Sequence, residues 1–281
     1  MSEIEVLRQG YIRRVCSEVI YLKKGGIPSM ADVNSVQSVA ISQALTKQWD
    51  YPLHPTELHG QTAGKRLERI TRDFLSESFD LLRHVRPGAW EFSVKGQIAA
   101  FDQYRHLAEI ARLMDEHREL KIALGDYLVK PDIIVARSPV SDEELNKDSD
   151  AGIVGTGGPP HHSPLRAANV ASPTLHASIS CKWTLRSDRS QNARTEGLNH
   201  IRNRKGHTPH IAVVTAEPLP NRVASLAMGT GDIDCVYHFA LPELAAAVEK
   251  VGDDTAHELL TEMVNGRRLR DIADLPFDLA I

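Results

Sequence analysis

The sequence has 281 residues, a formal net charge of −4 and three cysteines. The negative charge excludes a protein that coats DNA nonspecifically, and three cysteines do not suggest a disulfide framework. No apolar run reaches the ~18 residues of a membrane span, and the charged stretch 1–14 is unlike a signal peptide, so we expect a soluble cytoplasmic protein without membrane contact. Nothing reads as a linker, so we predict one domain over residues 1–281.

Three helices are predicted in the N-terminal part of the chain, over residues 3–21, 35–49 and 62–85. In the third helix, core-type side chains recur at helical spacing. They are Leu67, Ile70, Phe74, Ser78 and Leu81. We expect these helices to flank a sheet that the later part of the chain forms.

Two strands are predicted next. Pro131-Asp132 opens the apolar run 133–136, which is typical of a buried strand. From residue 175 to 182 the side chains alternate between two faces, which is the period of a half-buried strand. One face carries Leu175, Ala177, Ile179 and Cys181, and the other carries His176, Ser178, Ser180 and Lys182. Lys182 therefore shares its face with Ser180.

The C-terminal part continues with a helix over residues 188–204, for which Ser187 is the predicted N-cap, and a buried strand over 211–215. Strand, helix and strand in this order imply a crossover connection. The remaining predicted elements are one strand and two helices, at 235–241, 242–251 and 256–264. The elements together predict an α/β fold.

Asp132 and Lys182 are the candidate catalytic pair. Metal-dependent nucleases of the PD…(D/E)xK kind need a carboxylate and a lysine two positions apart on one strand, and an aspartate on a neighbouring strand. Lys182 follows Asp132 by 182 − 132 = 50 residues, but Ser180 occupies the carboxylate position and cannot hold a divalent ion as an anion does. Glu68 and Glu196 are candidates for the missing acid, and spacing does not choose between them. The alternative is a turn followed by a solvated lysine.

Arg186, Asp188 and Arg189 form a candidate base-reading cluster at the start of the predicted helix. Arginine can bind O6 and N7 of guanine, and aspartate can accept from the N4 amino group of cytosine, so the cluster suits adjacent G and C bases in a major groove. The alternative is a helix start with ordinary surface ion pairs.

The charge distribution favours a limited DNA contact. Residues 182–205 hold seven basic and two acidic residues, a balance of +5, so the rest of the chain carries −4 − 5 = −9. A local basic patch on an acidic protein suits binding to a short stretch of phosphates together with base contacts. A solvated basic helix face is the alternative.

With these residues, the chain resembles the NgoMIV-type restriction endonucleases. These are type II enzymes of the PD…(D/E)xK fold, in the subgroup that cuts around a CCGG core. The resemblance covers most of the chain. It is carried by GQTAG at 60–64, HVRPGAW at 84–90, KPDIIVAR at 130–137, the long stretch 175–218, MGTGDIDCVYHFAL at 228–241 and MVNGRRLRDIADLPFDLA at 263–280. It implies a restriction-endonuclease-like central mixed β-sheet flanked by helices.

The resemblance also implies roles for individual residues. Asp132 would bind the catalytic Mg²⁺, with the backbone carbonyl of Cys181 facing the same ion. Lys182 would orient or activate the attacking water. Glu68, on a helix, would replace the missing strand acid, and Glu196 would be a supporting or metal-site acid.

For DNA recognition, the resemblance implies that Arg186, Asp188 and Arg189 read the CCGG core and that Gln61 reaches bases from the minor groove. The short loop at Asp32 keeps the aspartate that helps to read outer bases, but the residues beside it depart from the family pattern. Outer-base specificity therefore follows less directly from the resemblance than core specificity does.

The implied function is a prokaryotic, Mg²⁺-dependent endonuclease that cuts double-stranded DNA at a CCGG-core palindrome, GCCGGC, after the first G to leave CCGG overhangs. One active site per chain cuts one strand, so a double-strand break needs at least a dimer. The resemblance goes further and implies a homotetramer, together with a cognate DNA methyltransferase in the same system.

Two other functions remain open from the residues. A repair or junction nuclease of the same fold would read DNA structure and would have no use for the cluster Arg186, Asp188 and Arg189. A DNA-binding protein without catalysis would explain Ser180 in place of an acid, although the presence of Asp132, Lys182 and Glu68 argues against it.

Overall fold

A six-stranded mixed sheet lies at the centre of the part of the chain that the structure describes. The computed structural model describes residues 1–94, 96–117, 119, 122, 130–229 and 231–281, with the side chains of residues 111 and 187–190 excepted. The strands of this sheet are, in order across it, β3 (Trp90–Ser93), β4 (Ile133–Arg137), β5 (Thr174–Lys182), β6 (His210–Thr215), β7 (Cys235–His238) and β8 (Leu269–Asp271). A small antiparallel pair, β1 (Leu22–Lys23) and β2 (Ile27–Pro28), lies apart from it.

Helices and short 3-10 turns account for most of the other described elements. The helices are α1 (Glu3–Glu18), α2 (Val36–Thr46), α3 (Gly60–Leu81), α4 (Ala108–Glu116), α5 (Asp142–Asn146), α6 (Ser187–Asn203), α7 (Pro220–Ala227), α8 (Leu241–Val251), α9 (Asp254–Asn265) and α10 (Leu275–Leu279). The 3-10 turns span Ile98–Ala100 and Asp102–Leu107. Among the described helices, none is both long and apolar enough to cross a bilayer.

The strand directions bring Asp132 to the C-terminal end of β5. Strand β4 runs antiparallel to β5, with Ile133 opposite Ile179, while β5 and β6 are parallel, with Lys182 opposite Thr215. Asp132 comes directly before Ile133, so an antiparallel register places it beside the residues that follow Ile179. The strand order and register thus bring Asp132 close to Lys182, although the two are 50 residues apart in sequence.

The core covers both faces of the central strands. Four consecutive residues of β4, at 133–136, are at most 1% exposed, as expected for a strand with packing on each side. Helix α1 packs on α3, where the Tyr11 hydroxyl lies 3.1 Å from Thr71 Oγ1. The guanidinium of Arg8 also binds Glu243 and Asp271, which ties α1 to the C-terminal part of the chain.

The predicted α/β fold with a central mixed sheet between helices is confirmed, with local differences. Helix α6 begins at Ser187 and its N-cap is Arg186, so the prediction of Ser187 as N-cap was wrong. Strand β5 is not half-buried as predicted, because Ser178 and Ser180 are also buried beneath α6. The short strands β3 and β8 were not predicted, since runs of four and three residues carry little periodic signal.

Candidate active site

Asp132 is the hub of a polar cluster at the C-terminal end of β5. Its Oδ2 accepts a hydrogen bond from the Cys181 backbone N–H at 2.8 Å and lies 3.2 Å from Lys182 Nζ. The Ser180 hydroxyl lies 3.3 Å from the same oxygen. The antiparallel register of β4 and β5 produces these contacts, and it holds the carboxylate against the strand that carries the lysine.

Lys182 is the last residue of β5, and its ammonium group lies between two acids. Nζ is 3.2 Å from Asp132 Oδ2 and 3.8 Å from Glu196 Oε2. Burial alone would lower the pKa of this lysine, but the attraction of Asp132 and Glu196 outweighs it, so the pKa is raised above its ordinary value. Lys182 is therefore a cation at neutral pH and acts as a hydrogen-bond donor.

Glu196 approaches the strand position where the sequence lacks an acid. Its Oε2 accepts from the Ser180 hydroxyl at 3.2 Å, so this hydroxyl can donate either to Glu196 or to Asp132. Burial raises the pKa of Glu196, and the nearby charge of Asp132 adds to that rise, while Lys182 and the Ser180 hydroxyl oppose it. In this cluster the Ser180 hydroxyl lies between the two carboxylates, and the Lys182 ammonium group contacts Asp132 directly.

Helix α6 reaches β5 in a defined register. Glu196 and His200 lie four residues apart on one face of the helix, and Ser178 and Ser180 lie two apart on one face of the strand. His200 Nε2 is 2.9 Å from Ser178 Oγ. This contact lies two residues along β5 and one turn along α6 from the contact between Glu196 and Ser180. The Tyr104 hydroxyl donates to the His200 carbonyl at 3.0 Å and provides a further contact to the helix.

Glu68 lies on α3, on the other side of β5. It is half-buried, and its charge is one of the influences on the Cys181 thiol, whose pKa is raised first by burial, then by Asp132 and then by Glu68. Both acids therefore lie close enough to Cys181 to act on it. Glu196, one of the two acids that the sequence left open, makes a direct contact with Ser180.

The donor groups of this cluster suit a hard divalent cation. Carboxylate and carbonyl oxygens are the ligands that Mg²⁺ prefers, and Asp132, Glu196 and the Cys181 carbonyl can supply them. Burial is the main cause of the raised Glu196 pKa and the charge of Asp132 adds to it, and a bound cation would favour the ionised form of both acids. Among the described residues, however, no three His, Cys, Asp or Glu side chains are arranged as a ready metal site.

The predicted base-reading cluster begins four residues after Lys182. Arg186 is exposed and forms the N-cap of α6. Asp188 and Arg189 lie in the first turn of this helix, but their side chains are outside the described part of the chain. The candidate catalytic Lys182 and the helix that carries the predicted base-reading cluster are thus joined by the short segment 183–186.

A cleft beside Arg186 collects residues from three other segments. A cavity of about 160 Å³ is lined by Lys23, Asp32, Gly60, Arg186 and Arg222, among others. Gln61 follows Gly60 and is exposed in the first turn of α3, where the His59 ring caps its backbone N–H. The predicted minor-groove residue therefore lies next to the cleft that Arg186 lines.

Arg222 and Glu217 are two residues of this region that the sequence did not single out. Arg222, on α7, forms an ion pair with Asp32, and its Nη1 lies 3.9 Å from Glu217 Oε1. Glu217 is fully buried. An acid inside the apolar run 211–219 was an available signal for Glu217, but nothing local in the sequence indicates the contact between Asp32 and Arg222, which are 190 residues apart.

Comparison with known proteins agrees with the resemblance noted in the sequence. The family described as NgoMIV restriction enzyme matches residues 11–281. The type II restriction enzyme NgoMIV of Neisseria gonorrhoeae is 46% identical over 265 residues, and the match covers 91% of each chain. A solved structure titled as a restriction endonuclease PspGI-substrate DNA complex covers 99% of this chain and 92% of its own, with 11% identity and a TM-score of 0.37. The predicted enzyme class, a type II site-specific deoxyribonuclease, is confirmed by the first two matches, and the chain belongs to the NgoMIV restriction enzyme family.

Proposed function

We propose that this restriction endonuclease hydrolyses both strands of a palindromic CCGG-core site in double-stranded DNA, with Mg²⁺ as cofactor. The proposed site is GCCGGC, cut after the first G to leave CCGG overhangs. The observation that carries the proposal is the contact of Asp132, Ser180, Lys182 and Glu196 at the end of β5, four residues before Arg186 begins the recognition helix.

The catalytic roles follow from the positions of the side chains. A divalent ion held by Asp132, Glu196 and the Cys181 carbonyl, with Glu68 as a further acid, would neutralise charge on the phosphate and make water a better nucleophile. Lys182, protonated at neutral pH, donates to the attacking water or to a phosphate oxygen and so orients the reactants. The Ser180 hydroxyl lies within hydrogen-bond distance of both Asp132 and Glu196 and donates to one of them at a time.

Recognition is assigned to the start of α6 and to the cleft beside it. Arg186, Asp188 and Arg189 would make major-groove contacts to the G and C bases of the core, and Gln61 would enter the minor groove. Asp32 would contribute to reading the outer base pair. The ion pair between Asp32 and Arg222 supports this last assignment, because an acceptor and a donor fork lie together beside Arg186.

The proposed partners are further copies of this chain and a DNA methyltransferase, and the proposed place of action is the cytoplasm. A palindrome presents the same bases and the same scissile phosphate on both strands, so two copies related by a twofold axis would cut it, and a homotetramer would hold two DNA sites. A cognate methyltransferase would protect the host DNA. The enzyme would act in the cytoplasm of a prokaryotic cell.

One digestion tests the enzyme, its specificity and its cut position together. Purified protein is incubated with Mg²⁺ and a plasmid of known sequence, and the ends are mapped by sequencing. We expect every GCCGGC to be cut after its first G, with no cutting when EDTA replaces Mg²⁺. Cutting at branched or damaged DNA without a sequence preference would favour the repair or junction nuclease, and specific binding without cutting would favour a protein that has lost catalysis.

A further inference from the structure

Glu217 is a buried acid that the proposed catalytic steps do not use. It follows β6 and has no solvent exposure. Its Oε2 accepts from the Leu185 backbone N–H at 2.8 Å, and its Oε1 accepts from the Leu219 backbone N–H at 3.2 Å. One carboxylate therefore joins two chain segments, each through a different oxygen.

Both of these segments carry an arginine that lines the cleft beside Arg186, which we call the recognition cleft. Leu185 comes directly before Arg186, the N-cap of α6, and Leu219 is the N-cap of α7, which carries Arg222. A second cavity, of about 520 Å³, lies between these segments and is lined by both arginines together with Leu185 and Asp32. Movement at Glu217 would shift the starts of both helices relative to each other.

We propose that Glu217 is a positioning residue for base recognition, whose ionised carboxylate fixes Arg186 and Arg222 relative to each other across the cleft. This inference rests on the proposed function, in which these arginines face DNA. Glu217 touches no base itself and acts through the backbone of Leu185 and Leu219. The consequence is that discrimination between sites depends on one buried acid outside the DNA contact surface.

The charge state of Glu217 decides whether both bonds can form. As an anion it has acceptor oxygens for both N–H groups, whereas a protonated carboxyl turns one oxygen into a donor that faces another donor. Burial raises the pKa of Glu217 to about 7; the N–H groups of Leu185 and Leu219 and the charge of Arg222 lower it, and Asp32 raises it. Acidification below neutral pH therefore protonates Glu217 and weakens the hydrogen bonds that it accepts from Leu185 and Leu219.

The charged groups that act on this carboxyl include Arg222 and Asp32, which pair with each other. Arg186 acts on Asp32 in turn, since it contributes to the low pKa of that acid after the hydrogen bonds from Arg222 and Asn34. Protonation of Glu217 would thus also change the balance of charge around Arg222. The recognition cleft and the buried acid form one electrostatic unit.

The test compares Glu217→Gln with a control at another acid that is bound by an arginine. Glu243→Gln removes the charge from an acid that Arg8 binds through Nη1 and Nη2, on α8 rather than beside the cleft. For each protein, single-turnover cleavage rates are measured on a duplex with the site mapped for the wild type and on duplexes with one changed base pair. The ratio of the two rates is the discrimination.

We expect Glu217→Gln to reduce discrimination by about tenfold or more at pH 8, and Glu243→Gln to leave it near the wild-type value. In the wild type, discrimination should fall between pH 8 and pH 6, and this fall should be absent in Glu217→Gln. Unchanged discrimination in a folded Glu217→Gln protein, with the same pH profile as the wild type, would overturn the proposal.

Glu217→Asp keeps the test decisive if Glu217→Gln does not fold, because aspartate retains the charge but shortens the side chain; unchanged discrimination in that folded variant would contradict the proposal. Failure of the proposed function gives a different result. In that case the wild-type digest maps another site or none. If only the Glu217 proposal fails, the wild type still cuts the expected site and the variant discriminates between duplexes as well as the wild type does.

Discussion

Ser180 Oγ lies 3.2 Å from Glu196 Oε2, so α6 delivers to β5 the acid that the strand itself lacks. The same helix begins with the residues assigned to base reading, and its N-cap Arg186 follows Lys182 by four residues. Movement of α6 would therefore displace Glu196, the proposed metal-site acid, together with the residues proposed to contact bases. This arrangement gives a physical route by which binding to the correct bases can align the catalytic groups.

Removing the charge of Glu196 should impair catalysis more than removing that of Glu68. Glu196→Gln keeps the shape of the side chain but removes the anion beside Asp132, so we expect cleavage to slow by about 10–100-fold and to need more Mg²⁺. Single-turnover rates across a Mg²⁺ titration measure both effects. Glu68→Gln is the matched variant, and the larger loss in Glu68→Gln would transfer the role to Glu68.

Lys182→Ala should abolish cleavage while leaving specific DNA binding largely intact. The ammonium group lies between Asp132 and Glu196 rather than on the surface assigned to base contacts, so its loss removes a catalytic donor and spares recognition. Gel-shift affinity and cleavage rate on the same duplex separate the two effects. Lys250→Ala, at an exposed lysine in the last turn of α8, is the control. Cleavage by Lys182→Ala near the wild-type rate would remove this lysine from the active site.

The proximity of Asp132 and Lys182 could be predicted because its signals are local. Pro131-Asp132 stands before an apolar run, and the alternation that ends at Lys182 gives the strand and its faces. Glu196 could not be chosen over Glu68, because its approach depends on how α6 packs against β5 through contacts such as that of Ser178 with His200. Strand alternation shows which side chains share a face, and tertiary packing decides which acid reaches them.

The same limit explains the error about β5. Serines at 178 and 180 look like solvent-facing positions in an alternating strand, but His200 and Glu196 bind them from α6. Polar residues on a buried face are satisfied by partners that lie far away in sequence. The central α/β order was predictable from buried runs, whereas the polar contacts between helix and sheet were not.

Arg189→Ala should cost about 1–3 kcal/mol of discrimination at one guanine position, because a bidentate donor to O6 and N7 distinguishes guanine from the other bases. Binding competition among duplexes changed at each position measures the loss. Arg202→Ala, at an exposed arginine near the other end of α6, is the control and should not alter base preference. An equal loss on all sequences would instead identify Arg189 as a phosphate contact.

Glu217 should make the wild type less stable as pH rises. Its pKa is about 7 in the folded chain against 4.5 ordinarily, so the folded state holds the proton more tightly between these values. The free energy of unfolding therefore falls through this window, by about 3 kcal/mol from this group alone, and remains lowered above pH 7.

Buried histidines act in the opposite direction, so the test is a difference between proteins. His176, His200 and His238 each have a pKa lowered to about 4, first by burial, so the free energy of unfolding falls as they protonate in the unfolded state on acidification. Urea unfolding of wild type and Glu217→Gln from pH 5 to pH 8 cancels these shared contributions. A free-energy difference that does not change with pH would show that Glu217 keeps its ordinary pKa.

Gly197→Ala should displace α6 and slow cleavage. A Cβ at Gly197 would lie 2.3 Å from the Asp232 carbonyl oxygen and 3.3 Å from Ile211 Cγ2, so the helix would have to move away from β6 and its flanking loop. Glu196 is the preceding residue and would move with it. We expect a loss of about 1–3 kcal/mol in the free energy of unfolding, although alanine favours helices over glycine.

Gly10→Ala is the matched control for this substitution. Gly10 lies within α1, and a Cβ there would meet no atom within 4 Å, so the helix preference of alanine should add about 0.5–1 kcal/mol to the free energy of unfolding. Urea unfolding and single-turnover cleavage of both variants are compared. If Gly197→Ala is as stable and as active as Gly10→Ala, then the close approach of α6 to the Asp232 backbone does not hold Glu196 at the active site.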